Sequence, residues 1–187
     1  MITQTLIEIS NNFKTLSETC EDTIIDVSDM MINSLKSGNK IMFCGNGGSA
    51  ADSQHLAAEL IGRYRLNRSP LSALALTTDT SSITAIGNDF SFEDIFSRQV
   101  EALGEKNDIL YAISTSGNSK NIISSIEIAK KKQIKVIGVT GSNGGDMKDK
   151  CDLIIKVPSE RPDRIQEMHI AIGQILCEII ELHFFKD

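Results

Sequence analysis

Apolar residues change their spacing near residue 40. Before it they recur at helical intervals: Ile24, Ile25, Val27, Met30, Met31, Ile32 and Leu35 form one broad face, and Gly38 is a stop signal, so residues 1–37 are predicted to hold two helices. Beyond it, short apolar runs at 40–44, 72–76, 108–113, 135–139 and 152–157 read as strands. Between them, 49–62, 80–86, 92–103 and 119–132 read as helices. Ile165, Met168, Ile172, Ile175, Leu176 and Ile179 then mark one long helix over about 163–185. Near-continuous apolar strands alternating with helices must be covered on both faces. The expected class is therefore α/β, with a five-stranded parallel sheet flanked by helices and two helices ahead of it. No linker or low-complexity tract interrupts 1–187, which reads as a single domain.

Two of the expected strands run into loops of small residues. Ile41–Cys44 leads to Gly45-Asn46-Gly47-Gly48-Ser49, and Ile109–Ile113 leads to Ser114-Thr115-Ser116-Gly117-Asn118-Ser119. A helix start leaves backbone N–H groups unpaired, and its dipole favours an anion, most often a phosphate. Ser114, Thr115, Ser116 and Ser119 add hydroxyl donors, while Gly117 permits a tight path. The plainer reading makes this an ordinary turn with Ser119 as a helix cap. Gly45-x-Gly47-x-x-Ala50 also matches a dinucleotide fingerprint, but the acidic residue expected about 20 positions on is missing, since the next strand ends near Thr77 and Asp79.

After the first loop come Asp52, His55 and Glu59. Four residues on a helix turn through about 40° beyond a full circle, so His55 and Glu59 share a face. They could share a metal or form an acid–base couple, or be a solvated local pair. Arg63, Arg65 and Arg68 follow, with solvation or ion pairing as the default role and anion contact as the lesser one. Gln166 and His169 at the start of the last helix read most simply as capping and surface residues.

Composition narrows the partners. A net charge of −6 argues against a general nucleic-acid or acidic-membrane surface. The start, Met1-Ile2-Thr3-Gln4-Thr5, lacks the pattern of a signal peptide, and Gln174, Glu178, Glu181 and His183 interrupt the last apolar stretch against a membrane span. Cys20, Cys44, Cys151 and Cys177 are scattered without a C-x-x-C pair, as suits structural thiols in a reducing, cytoplasmic setting.

Four stretches in order complete a resemblance: Cys44 to His55, Gly87-Asn88-Asp89, Ile113 to Ser119, and Arg164-Ile165-Gln166-Glu167. Together they resemble the bacterial phosphoheptose isomerases across essentially the whole chain. The resemblance implies a single sugar-isomerase (SIS) domain with a flavodoxin-like three-layer sandwich, and a homotetramer assembled through the helices of 1–37 with active sites where subunits meet. It implies isomerisation of sedoheptulose 7-phosphate to a glycero-manno-heptose 7-phosphate, the opening step towards heptoses of lipopolysaccharide core or other surface sugars. Asn46, Gly47 and Gly48 would line the sugar, with Asn88 and Asp89 contributing from a neighbouring loop. Gln166 would also meet substrate, and Ser114, Thr115, Ser116 and Ser119 would hold the phosphate. Glu59 would be the base, and zinc would be bound through His55, Glu59 and Gln166 plus a histidine on the last helix.

This chain departs from that pattern at one place. The last-helix histidine would stand eight residues after Gln166, and here that position is Gln174. Eight residues is just over two turns, so Gln174 faces the same way, but its amide is a poor zinc ligand beside imidazole and no acid near neutral pH. His169 lies about 140° around the helix from it and is no substitute. Two function classes follow: an isomerase, favoured by Glu59 and the intact sugar-facing motifs, or a noncatalytic SIS protein that binds a sugar phosphate or associates with a replication initiator.

Overall fold

A computed structural model describes residues 1–186. Helices α1 (Ile2–Thr19) and α2 (Glu21–Lys36) precede β1 (Ile41–Gly45), α3 (Gly48–Ile61), β2 (Ala73–Ala75), α4 (Thr80–Asp89) and α5 (Ser97–Leu103). Then come β3 (Ile109–Ile113), α6 (Lys120–Lys131), β4 (Lys135–Thr140), β5 (Leu153–Lys156) and α7 (Pro162–Phe185). The strands form one sheet in the order β2-β1-β3-β4-β5, every pair parallel. This is the flavodoxin-like doubly wound order, whose connections reverse direction between β1 and β3.

Strand alternation explains the layers. Ile41 and Phe43 of β1 face one way, with Ile109, Tyr111 and Ile113 of β3, and pack against α2, α3 and α7. Met42 and Cys44 face the other way, with Leu110 and Ala112, under Ile95, Phe96, Val100, Ile122 and Ile126. All five positions of β1 and of β3 are buried, as a parallel strand with helices on both sides requires. Helix α7 is apolar and long enough to meet a simple membrane-span criterion, yet Ile165, Met168, Ile172, Leu176 and Ile180 are buried in the first of these cores.

Two boundaries and one burial differ from the sequence reading. The expected helix over 92–103 breaks into a 3-10 turn, Phe92–Asp94, and α5. Ser91 causes the break by accepting from the Glu93 amide and donating from its hydroxyl to Asp94, closing a tight turn that sends Ile95 and Phe96 into the core. Helix α4, capped by Asp79 through the Ser82 amide, runs on to Asp89, so Asn88 and Asp89 end a helix instead of sitting in a loop. His169 is not a surface residue: it is 2% exposed, and among the described residues neither ring nitrogen has a hydrogen-bond partner. Burial lowers its pKa to about 4.

The N-terminal helix is unlike the others. Only Leu16 of α1 is buried, whereas Ile2, Leu6 and Ile7 are exposed. The chain therefore leaves one apolar helix face without cover of its own.

Candidate active site

Loops after β1 and β3 leave the carboxyl edge of the sheet on either side of the switch point, where ligands of open α/β sheets sit. A reciprocal pair of amide hydrogen bonds joins them. Asn46 Nδ2 donates to Asn121 Oδ1 at 2.9 Å, and Asn121 Nδ2 donates back to Asn46 Oδ1 at 2.8 Å. Asn121 is 3% exposed in the first turn of α6. The sequence reading passed over it, although a polar side chain on the apolar face of a helix is a signal that could have found it.

The serine loop is held by close backbone packing. Gly117 has φ +68, and a side chain there would strike the Gly144 carbonyl at 2.2 Å, so backbone packs directly on backbone. Ser119 does precede α6, but its hydroxyl makes no cap bond. Instead it stands 3.0 Å from the Ser114 hydroxyl across the loop. Among the described residues the amides of Thr115, Ser116 and Ser119 donate to no protein acceptor. Free amides and facing hydroxyls at the start of a 12-residue helix form a cradle with the chemistry to receive an anion. A cleft of about 240 Å³ adjoins it, lined by Thr115, Ser116, Asn118, Ser142 and Ser159 among others.

The other loop opens α3. Gly47 has φ +56 and starts the helix, and the Gln166 amide lies 3.0–3.1 Å from where a side chain on Gly48 would begin. Gly48 thus leaves the room that Gln166 fills. Two turns along, His55 Nε2 is 3.1 Å from Glu59 Oε1. The Gln174 amide nitrogen is 3.1 Å from the same His55 nitrogen and 3.5 Å from Glu59 Oε1. Gly173 explains how α7 comes so near, because a Cβ there would lie 2.5 Å from both methyl carbons of Leu56. Glycine at the crossing lets Gln174 reach the neighbour of Leu56.

Nearby charges are fixed by burial and by backbone donors. Asp52, one turn before His55, has a buried Oδ2 without a partner, and burial raises its pKa against the opposing pull of His55. Arg68 donates to Glu181, both side chains being 2% exposed, and Glu181 also accepts from the amides of Tyr64, Arg65 and Leu66. Arg65 pairs with Glu178. Two of the three arginines after α3 are therefore held in ion pairs, and Arg63 makes none among the described residues.

Of the positions read from the sequence, His55 and Glu59 come together, and Gln174 joins them. Asn46, Gly47, Gly48 and Gln166 gather at the mouth of β1, with Ser114, Thr115, Ser116 and Ser119 beside them across the Asn46–Asn121 link. Asn88 and Asp89 pair with each other at 2.8 Å and, among the described residues, make no hydrogen bond to either group. Gln166 likewise makes none to His55 or Glu59 among the described residues.

The SIS domain family model matches residues 6–141, which is most of the chain and includes both loops and α3. A phosphoheptose isomerase of Akkermansia muciniphila is 51% identical over 180 residues, 96% of this chain and 95% of that protein. The chain belongs to the phosphoheptose isomerase family. A second member, from Helicobacter pylori strain Shi470, is 56% identical over 155 residues, covering 83% of this chain and 81% of its own. Among solved structures, the phosphoheptose isomerase of Neisseria gonorrhoeae superposes with a TM-score of 0.92 at 40% identity over 96% of both chains. Phosphoheptose isomerase membership agrees with the five-stranded sheet and with two loops flanking its switch point.

Proposed function

We propose that this protein isomerises sedoheptulose 7-phosphate to a glycero-manno-heptose 7-phosphate. The observation that carries the reading is the His55–Glu59 pair at 3.1 Å on α3, the helix that starts in the loop clasped to the anion cradle. The phosphate sits among Ser114, Thr115, Ser116, Ser119 and the free loop amides, and this binding orients the distant reacting carbons. Asn46, Gly47, Gly48 and Gln166 line the sugar, with Asn88 and Asp89 supplied at the edge of the site. Glu59 takes the proton from C1, and the C1–H electron pair becomes the C1=C2 bond of an enediol as the C2 oxygen gains a proton. Loss of the O1 proton and return of a proton to C2 leave the carbonyl on C1. General acid–base assistance of this kind contributes about 10²–10⁴ in rate.

The exposed apolar residues of α1 support a homotetramer in which neighbouring copies cover that helix and complete the sites. Acidic net charge and four free thiols support a cytoplasmic enzyme without nucleic-acid or membrane partners, and its product feeds surface heptoses such as those of lipopolysaccharide core. The test is purified protein incubated with sedoheptulose 7-phosphate in deuterium oxide and followed by proton NMR. Aldose formation with deuterium entering the reacting carbon is the expected result. Tight sugar-phosphate binding without exchange would instead favour the noncatalytic reading, to which Gln174 lends its one supporting observation.

A further inference from the structure

We propose that this site works without zinc, and that Gln174 is a positioning residue doing by hydrogen bonding what a metal would do by ligation. The inference rests on the isomerase reading above and concerns the same cluster.

The donor set does not fit zinc. Catalytic zinc takes three protein ligands, drawn from imidazole, thiolate and carboxylate. Among the described residues no three His, Cys, Asp or Glu side chains gather as such a group. The chain offers one imidazole nitrogen, one carboxylate and two neutral amides, and one of those amides, Gln166, lies against Gly48. The other turns its nitrogen inward. An amide NH₂ has two protons to give and no lone pair for a metal. It faces His55 Nε2 at 3.1 Å, on a nitrogen that Glu59 Oε1 also faces at 3.1 Å. The nitrogen that would ligate zinc is thereby already used. The second amide proton points at Glu59 Oε1, 3.5 Å away.

What remains is a neutral brace. Gln174 holds the imidazole and the carboxylate at a set spacing, and Gly173 keeps the brace rigid by letting α7 close on Leu56. Glu59, carrying no bond to a dication, keeps its lone pairs for the substrate C–H.

Metal analysis by mass spectrometry, on protein expressed in zinc-supplemented medium and purified without chelator, tests this directly. Wild type is expected to carry far less than one zinc per chain and to keep its turnover in EDTA, whereas Gln174→His is expected to retain zinc near one per chain. Gln174→Ala should lower kcat by about 10–100-fold with little change in KM, as misplacement of a base by a fraction of an ångström does. Stoichiometric zinc in wild type, turnover abolished by EDTA, or an unchanged kcat in Gln174→Ala would overturn the proposal. Absence of turnover with and without zinc would sink the isomerase reading alone, because metal content still decides this one.

Discussion

The anion cradle and the His55–Glu59–Gln174 cluster lie on the same domain but are made from different materials. Backbone builds the first: free amides, a glycine at φ +68 and a helix start, with Ser114 and Ser119 facing across it. Side chains alone build the second, from two helices that meet at Gly173 and Leu56. A backbone site survives most substitutions because almost any residue supplies an amide. A side-chain site can be altered by one, and position 174 is where this chain departs from the pattern its motifs imply.

That contrast orders the expected effects of mutation. Glu59→Gln should lower kcat by about 10³-fold, within the range for a lost general base, while calorimetry still detects sugar-phosphate binding. Unchanged turnover would remove Glu59 from the chemistry.

The second effect is on stability and comes from acid. His169 stays neutral in the fold down to about pH 4, against an ordinary value of 6.5. Below pH 6.5 the unfolded chain therefore takes up a proton that the folded chain refuses. Stability is intact above pH 6.5 and falls as pH drops towards 4, by about 3 kcal/mol at about 1.4 per pH unit. Denaturant titrations at pH 7 and pH 4.5 should show the loss, and His169→Phe should shrink it. Because His169 lies on α7 between Gln166 and Gln174, acid should loosen the side-chain cluster before the cradle.

Next comes Gly173→Ala, which forces a methyl group into Leu56 and should cost about 1–3 kcal/mol in thermal melts. Turnover should suffer with it as Gln174 is pushed from His55. The smallest is Ser114→Ala, expected to raise KM for the sugar phosphate about 10-fold with kcat nearly constant, from about 1.5 kcal/mol for one hydrogen bond to a charged group. A fall in kcat instead would mean that the cradle does more than hold an anion.

The sheet was legible because its strands are buried on both faces: the runs around Ile41, Ile109 and Lys135 fall on β1, β3 and β4. The break before α5 was not, because Ser91 and Asp94 end a helical pattern through side-chain hydrogen bonds that periodicity cannot register. The serine loop could be read from hydroxyl density, and the His55–Glu59 pair from its spacing of four. Asn121 and Gly173 escaped notice since each matters through a partner far away in the chain, Asn46 and Leu56. His169 was misjudged for a related reason. Its side of α7 faces the core, and one polar residue on such a face looks like surface until the helix is docked.

The amide handshake between Asn46 and Asn121 carries a further consequence. Both partners are uncharged and neither titrates, so ionic strength and acidity leave the clasp as it is. The spacing of the two loops at this point is held by a contact that stays closed even under conditions that slacken the neighbouring helices.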